Sequence, residues 1–221
     1  MPVLWTHAAS IWLTACEARN RAIDTVQKEP NAWPMDSIVA IVLSAAATEA
    51  FINELAELIA MSNSRHENIL SQELRAFAVV IEEIEQSRGS LLLKYLMAAQ
   101  TLRGFPFDKS SNPFQDFATL ITLRNDVMHL KPRDTDVVTD GIQSIAVPKY
   151  VVALQQRKLA RTPPPNVGMS WFNRLQTTEI ASWAPRVARD IILAVLDLIP
   201  DDDTGRDPTD MLKRQFRNLA I

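Results

Sequence analysis

The stretch that decides the fold is residues 38–61, IVAIVLSAAATEAFINELAELIAM. Alanine, leucine, isoleucine and glutamate dominate it, and it holds neither glycine nor proline, so its residues give up little on entering a helix. The run is long enough to cross a bilayer, yet Glu49, Glu54 and Glu57 lie inside it, and each carboxylate would cost roughly 2 kcal/mol or more at membrane depth. It reads instead as the buried helix of a bundle. Asp36 or Ser37 can cap its start, and its last turn dissolves into Ser62-Asn63-Ser64.

Working outward, residues 4–27 carry helical apolar spacing that stops at Glu29-Pro30, with Trp33-Pro34 continuing the break, because proline lacks a donor and disfavours helix in the residue before it. His66 to Gln86 and Ser90 to Leu102 read as helical stretches separated at Arg88-Gly89, or as one kinked element. Arg103-Gly104-Phe105-Pro106 ends this part. Ser110-Ser111-Asn112-Pro113 restarts a helix that runs to about Leu130, before Pro132. Residues 131–170 differ in character, with scattered aspartates, two valine pairs and Pro163-Pro164-Pro165, and read as an irregular insertion, part strand or short helix, with the prolines as a stiff spacer. A strong helix returns from Thr177 or Thr178 to Ile199, closed by Pro200. The region 205–221 carries a tail helix. The expectation is an all-α, up-and-down bundle of four or five helices forming one domain over residues 1–221.

The composition agrees: 221 residues, 47% hydrophobic and 22% charged, with only five glycines, suit a helical globular chain with a sizeable core. A single cysteine, Cys16, rules out an intramolecular disulfide and reads as a small core residue of a protein in a reducing compartment. No basic leader precedes Glu17, Arg19 and Arg21, so a cytoplasmic protein with no membrane segment is expected. A net charge of −3 gives no overall attraction for nucleic acid, and any RNA contact must be local.

The three histidines, His7, His66 and His129, lie far apart, and no His-x-x-x-His or Glu-x-x-His pair places two ligands on one helix face. Neither a metal nor another cofactor is expected. There is also no Gly-x-Ser-x-Gly elbow and no glycine-rich phosphate loop.

What remains is Leu123-Arg124-Asn125-Asp126-Val127-Met128-His129-Leu130. At about 100° per residue, Asp126 and His129 continue a polar stripe from Gln115, Thr119 and Thr122, while Phe117, Ile121, Arg124 and Met128 follow the spacing of a buried one. A guanidinium on an apolar face needs an anion, because it does not escape burial by deprotonating. Two readings follow. Glu49, with Asn53 one turn on, is an internal partner that would make Arg124 a tie between helices; a ligand phosphate is the other candidate.

The segment also resembles the HEPN superfamily, in which a helical bundle carries R-x(4 to 6)-H near the end of a late helix, commonly with a polar residue after the arginine. Arg124, Asn125 and His129 match that motif. Residues 47–55 are similar to the second helix of bacterial HEPN groups, and residues 175–200 to their final helix. The resemblance implies a homodimer in which two such motifs face each other, and a metal-independent endoribonuclease acting as a toxin or defence effector. His129 would be the general acid/base, Arg124 would bind phosphate, and Asn125 would orient either. Glu49 and Asn53 would support the site. The implied substrate is single-stranded or loop RNA, and an antitoxin or a small nucleotidyltransferase is the implied partner. The alternatives are a non-catalytic HEPN dimerisation or interaction module, with Arg124 and His129 structural, and a plain helical scaffold.

Two further patches carry cations. Lys213-Arg214-Gln215-Phe216-Arg217 reads as an amphipathic helix packing Phe216, in preference to an RNA-binding strip, and Arg157, Lys158 and Arg161 carry the same ambiguity. Trp5, Trp12, Trp33, Trp171 and Trp183 read as core or interface anchors.

Overall fold

The computed structural model describes residues 6–65, 70–130, 147–164, 169–199, 212–213 and 215–217. Among them the chain is an all-α helical bundle without strands. Its elements are α1 (His7–Lys28), α2 (Asp36–Arg65), α3 (Gln72–Gln86), α4 (Leu91–Arg103), α5 (Phe114–Met128), α6 (Lys149–Gln156), α7 (Trp171–Arg174) and α8 (Thr178–Leu196). Residues 212–213 and 215–217 are helical as well. His66, Trp5, and the parts of the 131–170 insertion at 131–146 and 165–168 lie outside the described residues.

Local chemistry sets the element ends. The hydroxyls of Ser71 and Ser90 accept from the amides of Leu74 and Leu93, at 3.3 and 3.2 Å, so α3 and α4 are two capped helices and not one kinked element. They pack against each other as a hairpin. Their connection needs Gly89: a Cβ there would sit 2.6 Å from Ile84 Cγ2, because the Gly89 amide donates to Ile84 O at 2.8 Å. Gly104, at φ 87°, ends α4 in the left-handed conformation that glycine adopts without penalty. Thr177 caps α8, its hydroxyl accepting from the Ile180 amide at 3.1 Å.

By contact, the chain falls into two compact units, and α1, α2, α5 and α8 each contribute residues to both. The first comprises residues 1–12, 46–118 and 187–221. Its core is aromatic: Phe216 sits edge-on to Trp12 and Phe51, with centroids 6.4 and 5.8 Å away, and Tyr95 lies 4.4 Å from Phe117. Of the Lys213 to Arg217 stretch, residues 213 and 215–217 are helical, and both Lys213 and Phe216 are buried. Glu54, one of the carboxylates that argued against a membrane span, accepts from the His7 and Ala8 amides at 2.8 and 3.2 Å and so caps the start of α1. Residues 36–62 are long and apolar enough to cross a membrane, and just over half of their most apolar window is buried in the protein.

Tyr95 is fully buried and donates to Thr48 O at 2.9 Å. Burial pushes its phenol well above the ordinary value of 10.0. The folded chain thus keeps a proton that the unfolded chain releases, so this contribution is complete below the unfolded value and is lost as pH rises through the folded one. Alkaline melts should show stability falling above about pH 10, and Tyr95→Phe should flatten that limb.

The second unit comprises residues 13–45 and 119–186. Ala18, Ala22, Ala40 and Ala181 cluster at zero exposure, small side chains that let α1, α2 and α8 approach closely there. Cys16 is buried, as expected. Arg161 is a clasp: its amide donates to Arg174 O, Nε to Gln176 O and Nη2 to Ala32 O, at 2.8, 3.2 and 2.6 Å, while its guanidinium lies 4.9 Å from the Trp33 ring centroid. Arg161 therefore binds main chain. The described part of the insertion is helical at α6, whose Val151 and Leu154 are buried.

Candidate functional site

The site is built on α5. Pro113 precedes its first turn, where it costs no hydrogen bond, and the amides of Gln115 and Phe117 donate to Ser111 O and Pro113 O at 2.9 and 3.1 Å. Phe114, Phe117, Leu120, Ile121 and Leu123 are buried. At about 100° per residue they span one arc of the helix, and Arg124 falls near its middle. Arg124 itself is half-buried.

The helix closes where the motif ends. The His129 amide donates to both Asn125 O and Asp126 O, at 3.1 and 3.3 Å, a shared bond typical of a terminal turn. Asn125 and His129 are exposed. Met128, placed by spacing on the buried stripe, is 58% exposed, because α5 ends with it and no further helical turn extends the apolar arc. Leu130 is 37% exposed. His129 is thus flanked in the chain by two exposed apolar residues. Asp126 is half-buried, and one of its carboxylate oxygens accepts from the Tyr150 hydroxyl of α6 at 2.6 Å.

Arg124 and Asn125 therefore lie in the last turns of α5 and His129 just past its end, all in the second unit. Glu49 and Asn53 belong to the first unit. There Glu49 is exposed, and Asn53 is half-buried with its Oδ1 accepting from Lys94 Nζ at 2.6 Å. Lys94 is 2% exposed and also pairs with Glu85. Burying an ammonium is costly unless its donors are satisfied, and Asn53 and Glu85 meet that need. Asn53 and Glu57 edge a groove of about 450 Å³ between α2 and α3, floored by Ala56, Ala78 and Ile81.

Sequence reasoning passes over two of these residues. Lys94 carries a signal, a lone cation inside Leu91-Leu92-Leu93-Lys94-Tyr95-Leu96, where an internal partner must exist. Tyr150 carries almost none, since its partner lies 24 residues away across the insertion. Among the described residues no three His, Cys, Asp or Glu side chains are grouped to hold a metal ion.

Comparison of the chain with protein-family models, curated proteins and solved structures finds no match.

Proposed function

We propose that this chain is a metal-independent endoribonuclease of HEPN type, acting in the cytoplasm as a toxin or defence effector. The observation that carries the reading is the pairing, at one end of α5, of a half-buried arginine in a buried arc with an exposed histidine five positions on. An arginine carries a planar guanidinium fork suited to a phosphate, and an imidazole can accept or donate a proton during the reaction. In the reaction, His129 takes the proton from a ribose 2′-hydroxyl as the oxygen attacks phosphorus. The P–O5′ bond breaks, the 5′-oxygen leaves with a proton from a second imidazole, and a 2′,3′-cyclic phosphate remains, which water opens to a 3′-phosphate. Arg124 stabilises the charge on the phosphoryl oxygens, and Asn125 orients the phosphate or the imidazole.

Two chains supply two imidazoles. Arg124 and His129 are about 140° apart around one helix, so residues from two α5 helices converge on a phosphate more readily than one chain's pair. The exposed Met128 and Leu130 beside His129 supply apolar surface for that homodimer. An antitoxin or a small nucleotidyltransferase is the partner class that fits an effector of this kind. The substrate is single-stranded or loop RNA, where the 2′-oxygen can align with the scissile bond.

Wild-type protein incubated with single-stranded RNA in excess chelator should cleave it and leave 2′,3′-cyclic or 3′-phosphate ends, read by end-specific enzymatic labelling. Cleavage abolished by chelator would overturn the mechanism. Absence of cleavage by a folded wild-type dimer would leave the interaction-module reading in its place.

A further inference from the structure

We propose that Tyr150 is a positioning residue for cleavage, holding the terminal turn of α5 through the carboxylate of Asp126; this rests on the ribonuclease reading above. The last turn of a helix has lost its outward hydrogen-bond partners and opens more easily than the interior. His129 sits just past the end of α5, exposed, held along the backbone by its amide's shared bond to Asn125 O and Asp126 O. A proton-transfer group has to stay within about half an ångström of its working place. Something other than the turn itself must supply that order.

Asp126 lies in this turn, three residues before His129 and on a neighbouring part of the helix surface. Its carboxylate accepts from the Tyr150 hydroxyl at 2.6 Å, the short distance of a charge-assisted bond, and both side chains are half-buried, where water competes less. Tyr150 is itself held. Its ring meets Trp171 edge to face at 6.5 Å, Trp171 is buried, and Val151 and Leu154 of the same helix are buried as well. A buried tryptophan thus fixes a tyrosine, the tyrosine fixes an aspartate, and the aspartate pins the turn that presents His129. The inserted segment that carries Tyr150 is, on this account, part of the catalytic apparatus.

The test is steady-state cleavage of a mixed-sequence single-stranded RNA by the full chain, carried through Tyr150→Phe, Asp126→Asn, Asp126→Ala and the double variant Tyr150→Phe/Asp126→Ala. Tyr150→Phe should lower kcat about tenfold, the loss expected for one charge-assisted bond, with KM nearly unchanged and the melting curve close to wild type. Asp126→Asn, whose side-chain oxygen still accepts a bond but without the charge, should fall between Tyr150→Phe and wild type. The double variant should be no slower than the slower single one, since both remove the same interaction. Amide hydrogen exchange at residues 125–129 should quicken in Tyr150→Phe while the rest of the chain stays as it was. Wild-type cleavage with an unchanged kcat in folded Tyr150→Phe overturns this proposal and leaves the ribonuclease reading standing, as does full additivity in the double variant. Wild-type protein that cuts no RNA removes both.

Discussion

His129→Ala should lower the rate of RNA cleavage by about 10²- to 10⁴-fold, the usual loss when a positioned acid or base is removed, and should leave the fold intact. The second half follows from where the residue sits. His129 is exposed and lies just beyond α5, so among the described residues truncation opens no cavity and strands no buried partner, and surface changes of this kind stay within about 0.5 kcal/mol. Cleavage rate and melting temperature measured on the same preparation separate the two effects. Arg124 needs a gentler change. It is half-buried in the buried arc of α5, so Arg124→Ala mixes lost chemistry with lost packing, whereas Arg124→Lys keeps the charge and removes only the two-pronged fork. A well-folded His129→Ala protein that cuts RNA at the wild-type rate would end the ribonuclease reading at this site.

Phe216→Ala should destabilise the protein by about 3–5 kcal/mol. Its ring is fully buried and meets Trp12 and Phe51 edge to face, an arrangement that adds to the transfer free energy of the ring itself. The backbone there is tied down as well: Arg189 Nε donates to Phe216 O at 3.2 Å and Lys213 Nζ to Ile199 O at 3.1 Å. Arg217→Ala provides the control. The Arg217 ion pair with Asp197, at 2.6 Å, has both side chains 56% exposed, and such pairs contribute about 0–1 kcal/mol. Urea titrations of the two variants should differ by several-fold in lost stability. A loss below about 1 kcal/mol for Phe216→Ala would mean that the aromatic cluster is not closed in solution.

Periodicity and punctuation in the sequence suffice for the long helices, whereas α6 lies in a segment that reads as part strand or short helix and the short α7 leaves no periodic signal. Pro30, Pro34 and Pro113 mark boundaries that chain stereochemistry enforces, and Ser90 and Thr177 open stretches that read as helix, whereas Ser71 falls inside a stretch that reads as helical from His66 and shows its capping role only in the structure. The position of Arg124 in the buried arc was equally legible, since it depends only on the helical repeat. Met128 shows where that logic stops. The repeat assigns it to the buried side, but a repeat does not say where neighbouring helices end, and beyond the last turn the same angle faces water. Asn53 and Asp126 show a second limit. Their partners, Lys94 and Tyr150, are 41 and 24 residues away, and hydrogen bonds at such separations leave no periodic trace.

The Arg161 clasp has a consequence for how the molecule comes into being. Its bond to the carbonyl of Ala32 joins positions 129 residues apart. Closing a chain segment of that length costs on the order of 4 kcal/mol in entropy before any contact repays it. During synthesis the segment between α1 and α2 leaves the ribosome long before Arg161 exists, so its carbonyls wait in water while α3, α4 and α5 are made. The α3–α4 hairpin, built from near neighbours, can form during that wait. The unit that carries His129 is completed only when the later half of the chain returns to the first, so a molecule interrupted in mid-synthesis holds the motif without the surroundings that order it.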